Sequence, residues 1–235
     1  MTTVLAEPSA ARAALWRLLS LGFAPPSADT AAEVEALAEG VQEIGGPPEL
    51  AQLLAALAAA THDDLRAGYQ SLFGGKVAVA PYEGSYEIDP LRQGRQLADI
   101  AGFYLAFGAE AHGPAAERPD HLGCELEFLA FLELRRLLES EAGEASEVEL
   151  VDEIEDAFLR DHVGRWLPTF FADVRREADD GSVYAALAAV GERVVADELE
   201  RRGLEPASLP RRHRELSVER DSFDCGSSVR EARAR

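Results

Sequence analysis

Lysine and cysteine are nearly absent from this chain. All but one of its 23 basic residues are arginine, the exception being Lys76, and 235 residues contain only the cysteines Cys124 and Cys225. Two cysteines this far apart do not make a disulfide framework, so we expect free thiols in a reducing compartment. The longest apolar run, residues 53–60, is too short to span a bilayer, and no secretory signal is visible. These absences predict a cytoplasmic protein without stable membrane insertion.

The motifs of common catalytic and metal sites are also missing. Gly74-Gly75-Lys76 lacks the upstream glycine spacing and the following hydroxyl residue of a phosphate-binding loop. None of the five histidines follows a glutamate by three residues, and no paired-cysteine zinc motif exists. His121 and Glu125 stand four residues apart, but two ligands are too few for zinc. We predict no cofactor, no metal and no enzymatic activity. One alternative is an enzyme whose active site lies on the helices and has no recognisable motif.

Acidic residues strongly outnumber basic ones. The chain carries 43 acidic and 23 basic residues, and its net charge is −20. This charge repels the phosphate backbone of nucleic acids and anionic membrane surfaces, so we predict no nucleic-acid partner. It favours cationic partners, although general solubility or adaptation to a salty cytoplasm explains it as well.

Helical patterning dominates the chain, because alanine and leucine are frequent and alternating strand patterns are absent. We predict an all-α protein, a single globular helical bundle of about nine helices. The bundle covers residues 1–205, with a possible hinge near 142–148, and a poorly ordered, flexible charged tail covers 206–235.

Several residues mark expected helix boundaries. Thr61 with Asp64 predicts a capping box at the start of the fourth helix. Pro8 is expected in the first turn of the first helix. Pro168 predicts a break or kink near Trp166, because proline removes a helical hydrogen bond.

The stretch ERPDHLGCELEFLAFL, residues 117–132, is expected to organise the fold. Leucines at 122, 126, 129 and 132 follow the spacing of a core-facing helix. Pro119 suits a first helical turn, and Asp120 would place a carboxylate beside the free amides at the helix start. We expect Glu125 and Glu127 to lie outside the core, where solvent exposure and contact with a partner are equally plausible.

This stretch resembles the signature of the TorD/DmsD/NarJ family, which comprises cytoplasmic chaperones of molybdenum-cofactor redox enzymes, also called redox enzyme maturation proteins. The similarity runs from Glu117 to Leu132 almost without a break. The segment 82–86 is similar to the family's tyrosine–glutamate–serine loop, but here Gly84 separates the glutamate from the serine. The segment FLRDHVGRWLPTF, residues 158–170, is similar to a second recurring stretch. The resemblance implies a TorD-like helical fold.

The same resemblance implies a system-specific chaperone. Its partner would be the precursor of a molybdopterin oxidoreductase catalytic subunit, of the DMSO reductase or nitrate reductase type. It would bind the twin-arginine signal peptide or the nascent subunit and hold it for cofactor insertion before export or assembly. An acidic rim would pair with the arginines, and an apolar groove would accept the following apolar run. The expected contact residues are Pro119, Asp120, His121, Glu125, Glu127, Tyr82, Glu83 and Tyr86.

Some alternatives remain open at this point. The aromatic loop 76–89 is as consistent with pinning to the core as with lining a groove. For His162 and Trp166, which stand four residues apart, core packing is favoured. The alternative function is an acidic all-helical regulatory or assembly subunit without signal-peptide binding. Monomers and domain-swapped dimers are both compatible with the sequence.

Overall fold

The computed structural model describes residues 3–109, 117–207 and 209, and of residues 3–7 only the backbone. Within these ranges the chain forms nine α-helices and no strand, which confirms the predicted all-α class. In chain order the helices are α1 (Thr3–Gly22), α2 (Thr30–Glu43), α3 (Glu49–Ala59), α4 (His62–Phe73), α5 (Pro90–Ala106), α6 (Leu122–Ala142), α7 (Ala145–Phe158), α8 (Gly164–Glu177) and α9 (Val183–Arg202). A 3-10 turn covers Glu83–Ser85, and a π-turn covers Leu159–Val163.

Local sequence sets several of these boundaries. The predicted capping box is confirmed, because the Thr61 hydroxyl accepts from the Asp64 N–H and the Asp64 carboxylate accepts from the Thr61 N–H. The carboxylate of Asp89 caps α5 by accepting from the N–H of Leu91 at 2.9 Å. Gly143 ends α6 in a left-handed conformation with φ of 79°, which glycine adopts without steric cost. Only Gly143 and Glu144 separate α6 from α7, so the hinge expected near 142–148 stays a prediction.

Two expected helix starts differ in the structure. α1 begins at Thr3, so Pro8 lies inside this helix rather than in its first turn. α6 begins at Leu122, so Pro119 and Asp120 lie in the turn before it. α6 starts late because His121 caps it and the carbonyl of Asp120 accepts from the N–H of Glu83 in the neighbouring loop.

The helix does not stop near Trp166, because Pro168 lies inside α8. The irregularity lies one turn earlier, in the π-turn, where the N–H of Gly164 reaches back five residues to the carbonyl of Leu159. Proline removes one helical hydrogen bond and crowds the preceding turn, and a widened turn accommodates this without ending the helix.

Helices α1, α6, α8 and α9 enclose the hydrophobic core. α1 packs along α6 and also contacts α2 and α9, while α9 packs against α8 and α3. The four leucines predicted to face inward, Leu122, Leu126, Leu129 and Leu132, are all fully buried. The largest fully buried side chains include Trp16, Phe158, Trp166, Phe170 and Phe171.

Three arginines and three glutamates form an ionic cluster inside the bundle. Its members come from four helices: Arg12 of α1, Glu133 and Arg136 of α6, Glu155 of α7, and Glu198 and Arg202 of α9. The glutamate oxygens lie within 4.8 Å of one another. Since guanidinium groups already contact each carboxylate, the arrangement is that of an ion-pair network rather than a metal site. Burial raises the pKa of Glu155 to about 7, with a further upward contribution from Glu133.

The structure also bears on the expectations for membrane spans, the two cysteines and the C-terminal tail. None of the described helices is long and apolar enough to cross a lipid bilayer. Cys124 is a free thiol, and burial raises its pKa to about 11. Cys225 and nearly all of the expected tail, residues 208 and 210–235, lie outside the described residues. Leu209 is buried, and its N–H donates to the carbonyl of Arg165 at 2.9 Å.

Candidate functional site

The loop between α4 and α5 is held against the start of α6. The N–H of Glu83 donates to the carbonyl of Asp120, and the N–H of Leu122 donates to the carbonyl of Pro81, both at 2.9 Å. Tyr86 is buried, and its hydroxyl donates to a carbonyl of the same loop at 3.3 Å. Of the two alternatives open for this loop, the geometry supports pinning to the core.

Asp120 locks this contact from the interior. It is only 2% exposed, and its Oδ2 accepts from the N–H of Gly84 at 3.1 Å. Arg118 donates to both carboxylate oxygens, at 3.0 and 2.8 Å. A methyl group on Gly84 would lie 2.9 Å from Oδ2 of Asp120, so the close approach depends on glycine. The carboxylate is thus occupied by its own chain, and its contact with a client stays a prediction.

Glu125 lies in the core, so the expectation that it lies outside is wrong. It is fully buried, and its Oε2 accepts from Nε1 of Trp166 at 2.9 Å. Burial raises the pKa of Glu125 well above its usual range, and the nearby Glu83 raises it further. The physical reason is position, because Glu125 follows Leu122 by three residues and therefore shares the buried face of α6. That spacing was visible in the sequence.

A line of polar side chains leads from Glu83 to the surface. Glu83 is fully buried, accepts from Nε2 of Gln96 at 3.0 Å and lies 3.0 Å from Nδ1 of His162. Nε2 of His162 lies 3.3 Å from the carboxylate of Asp99, whose side chain is 65% exposed. His162 is buried, as predicted. Sequence reasoning missed Gln96 and Asp99, because nothing local connects α5 with Glu83 and the π-turn.

Tyr82 is partly accessible on the outer side of the loop. Its hydroxyl donates to Glu117 at 2.9 Å, and the guanidinium of Arg118 lies 5.0 Å from the centre of its ring. Partial burial and the hydrogen bond to Glu117 raise the pKa of Tyr82 to about 12. The phenol therefore stays protonated at physiological pH and serves as a donor.

His121 and Glu127 are the other expected contact residues that reach the surface. His121 caps α6, because its Nδ1 accepts from the N–H of Gly123 at 3.1 Å. Burial lowers the pKa of His121, which favours the neutral ring that this cap requires. Glu127 is 56% exposed and forms an ion pair with Arg17. The remaining expected residue, Pro119, is half-buried, and its carbonyl accepts from the hydroxyl of a neighbouring tyrosine at 2.9 Å.

An open groove of about 890 Å³ lies beside this polar line. One wall is α5, with Arg92, Arg95, Gln96 and Asp99, and the opposite wall is formed by residues 160–162 and Arg165. Glu87, Glu205 and Ala207 also border it. None of the eight expected contact residues lines this groove. Glu83 is nevertheless in direct contact with two residues that do, Gln96 and His162.

The outer face of α5 continues the groove as an apolar stripe. Its members recur at spacings of three and four and are all exposed: Leu91, Gly94, Ala98, Ala101 and Leu105. Leu91 is 76% and Leu105 is 72% exposed, the highest values among the large apolar side chains that the structure describes. At 1.5 Å per residue the stripe is about 21 Å long. Ala98 also lines the groove, so the polar groove and the apolar stripe form one surface.

Comparison with known proteins identifies the family of this chain. The family model described as nitrate reductase delta subunit matches residues 35–172. The chain is 37% identical over 141 residues to the selenate reductase assembly chaperone protein of Thauera selenatis. The aligned region covers 59% of this chain and 70% of that protein. It is 33% identical over 111 residues to the chlorate reductase assembly chaperone protein of Ideonella dechloratans, covering 46% and 56%.

A solved structure agrees on the fold. The crystal structure described as that of a redox enzyme maturation protein from Archaeoglobus fulgidus superposes with a TM-score of 0.54 at 24% identity. It covers 79% of this chain and 93% of its own. Both sequence relatives are named as assembly chaperones rather than enzymes, in agreement with the prediction that this chain is not an enzyme. Because the family model covers more than half of the sequence, the chain belongs to the nitrate reductase delta subunit family, the NarJ/TorD-type group that its central motif predicted.

Proposed function

We propose that this protein is a cytoplasmic assembly chaperone for the catalytic subunit of a molybdopterin oxidoreductase. It binds the twin-arginine signal peptide, or the nascent subunit, and holds it for cofactor insertion before export or assembly. The two relatives named as reductase assembly chaperones support this assignment, since they share a third of their aligned residues or more with this chain.

The observation that carries the proposal is the continuity of the groove with the apolar stripe of α5. A leader peptide has a basic head followed by an apolar run that readily forms a helix. The groove offers accessible carboxylates to the head, and the stripe offers an exposed helix face to the run. Small residues at Gly94, Ala98 and Ala101 allow a second helix to approach closely between the terminal leucines Leu91 and Leu105.

The buried residues Glu83 and Asp120 support the groove and do not line it. Glu83 holds Gln96 and His162, two residues that line the groove, while Asp120 holds the loop that carries Glu83. A substitution in this motif would therefore disturb client binding indirectly, by loosening the groove wall.

Titration calorimetry with a leader peptide tests the proposal. The peptide is the N-terminal segment of a molybdoenzyme precursor whose gene neighbours that of this protein. We expect binding by the wild type and about tenfold or greater weakening by Leu91→Glu and Leu105→Glu, because each places a charge on the apolar stripe. Leu134→Glu is the matched control, since Leu134 is 50% exposed but lies on α6.

Two results would revise the proposal. If the leader peptide does not bind but the full catalytic subunit co-purifies with the protein, the alternative of an assembly subunit without signal-peptide binding is favoured. If neither binds, the chaperone assignment is wrong.

A further inference from the structure

One hydrogen-bond acceptor in the groove wall is left without a donor. Gln96 is 9% exposed, and its Nε2 donates to Glu83. A carboxylate only accepts hydrogen bonds, so the amide nitrogen must face Glu83 and the amide oxygen must face away. This oxygen is buried and has no partner among the described residues. An unsatisfied buried acceptor is unfavourable, and because Gln96 lines the groove, a donor that enters there could satisfy it.

Two carboxylates beside Gln96 are accessible. Asp99 lies about one helical turn further along α5, and among the described residues its polar side-chain contact is with His162 at 3.3 Å. Glu205 borders the same groove, is exposed, and has no ion-pair partner in the part of the chain that the structure describes. Together with the Gln96 oxygen, they form a set of acceptors in which His162, beside Asp99, is the one neighbouring donor group found among the described residues. The chemical group that fits several acceptors at once is a guanidinium, which has five N–H donors in one plane.

The other two acids of the groove are already engaged. Asp161 accepts from Arg160 at 2.9 Å. Glu87 accepts from two backbone N–H groups of the residues that follow it, at 2.9 and 3.1 Å. Glu87 is buried and Asp161 is paired with Arg160, so neither carboxylate lacks a donor as Glu205 does.

Most arginines of the groove are similarly engaged. Arg160 pairs with Asp161, and Arg165 donates to the carbonyls of Asp161 and Ala207 at 3.2 and 3.3 Å. Arg92 lies 3.7 Å from a carboxylate oxygen of Asp89. Arg95 differs, because it is exposed and has no ion-pair partner among the described residues. It is the groove charge that would oppose an entering cation.

We propose that this groove is a subsite for one guanidinium group of the client's leader peptide, with Gln96, Asp99 and Glu205 as its acceptors. The inference rests on the proposed chaperone function and places the arginine contact in the groove rather than at the carboxylates of the α6 motif. Arg95 tunes this subsite by lowering its affinity for any cation. An arginine bound here leaves the following apolar run next to Ala98, at the middle of the stripe.

The test compares two leader peptides, one with its arginine pair and one with both arginines replaced by lysine. The wild type should bind the arginine form about tenfold more tightly, since an ammonium is a compact charge without the five-donor planar fork of a guanidinium. The double variant Asp99→Asn with Glu205→Gln should weaken binding of the arginine form about tenfold and remove the preference over lysine. Arg95→Gln should strengthen binding of both peptides about threefold, because it removes a like charge.

The test relies on substitutions of the exposed residues Asp99, Glu205 and Arg95. Gln96→Leu would also remove the hydrogen bond to Glu83, so circular dichroism must first show that this variant keeps its native helix content. Glu127→Gln is the matched control, because Glu127 is an exposed acid on α6 outside the groove. Weaker binding by Glu127→Gln together with unchanged binding by the groove variants would place the arginine at α6 and overturn the subsite.

Two further outcomes would overturn the subsite while leaving the chaperone function intact. Weaker rather than stronger binding by Arg95→Gln would show that the groove accepts an anion. Co-purification of the catalytic subunit without any affinity for the leader peptide would show that no leader arginine is bound. Loss of both interactions would instead contradict the chaperone function itself.

Discussion

The backbone N–H of Gly84 donates to the carboxylate of Asp120 at 3.1 Å, and this bond joins two motifs that lie 36 residues apart in the chain. Arg118 covers the same carboxylate from the solvent side, because its side chain is 57% exposed while that of Asp120 is 3% exposed. The loop 82–86 and the turn before α6 therefore act as one structural unit. Within this unit, Glu83 contacts Gln96 and His162 of the groove wall.

Replacement of Asp120 by alanine should lower the free energy of unfolding by about 2–3 kcal/mol, because the buried N–H of Gly84 loses a charged acceptor. Urea denaturation monitored by circular dichroism measures this change. Glu127→Ala should cost less than about 1 kcal/mol, since the ion pair of Glu127 with Arg17 is exposed. Equal effects of the two substitutions would show that Asp120 does not lock the loop.

Two glycine-to-alanine substitutions should change stability in opposite directions. At Gly84 the new methyl group would meet Oδ2 of Asp120 at 2.9 Å, so we expect a loss of about 1–3 kcal/mol. Gly94 lies inside α5 with open space around it, so alanine there should add about 0.5–1 kcal/mol by reducing backbone entropy in the unfolded chain. Thermal unfolding of both variants beside the wild type gives the two signs directly.

Stability should depend on pH through Glu125. Burial raises the pKa of this carboxyl in the folded protein, whereas the unfolded chain titrates near the ordinary value of 4.5. The folded state thus binds more protons above that pH, so the stabilising contribution is complete below pH 4.5 and is lost as pH rises through the folded pKa.

Glu125→Gln should remove this part of the pH dependence, because the amide is neutral at every pH while its oxygen still accepts from Trp166. The difference in slope between wild type and variant should reach about 1.4 kcal/mol per pH unit within the titration window. Urea titrations at several pH values above 4.5 measure it, with Glu127→Gln as the exposed control. Parallel curves for wild type and Glu125→Gln would contradict the raised pKa.

Arg202→Ala should destabilise the protein by about 3–5 kcal/mol, because it leaves buried carboxylates of the ionic cluster without their counter-charge. The side chain of Arg202 is 5% exposed and contacts Glu155, Asp156 and Glu198. Its neighbour Arg201 is 43% exposed, so Arg201→Ala should cost less than about 1 kcal/mol. Similar losses for the two variants in chemical denaturation would mean that burial does not strengthen the cluster.

Local patterns predicted the helices well, because a helix is specified by residues three and four positions apart. The leucine stripe of α6 and the capping box at Thr61 are examples, and both are confirmed. The same spacing places Glu125 on the buried face, three residues after Leu122, but the sequence analysis expected it outside the core. The sequence offered no sign that Trp166, 41 residues away, supplies the hydrogen bond that Glu125 accepts in the core.

The candidate groove could not be predicted from local sequence patterns for a similar reason. Its walls come from α5, the π-turn and residues 205–207, which only the tertiary fold brings together. Gln96 and Asp99 carry no motif, and their significance depends on contacts with Glu83 and His162. Sequence reasoning identified the supporting motif, whereas the accessible surface in front of it became apparent only in three dimensions.

The ionic cluster has a consequence for the order of biosynthesis. Arg12 emerges early from the ribosome, yet one of its partners, Glu198, belongs to α9. The first helix also packs against α6 and α9, so it cannot reach its final environment until the ninth helix has been translated. Arg12 gains its first carboxylate partner only when Glu133 of α6 has been translated, and the part of α1 that packs on α9 stays uncovered until α9 itself has been made.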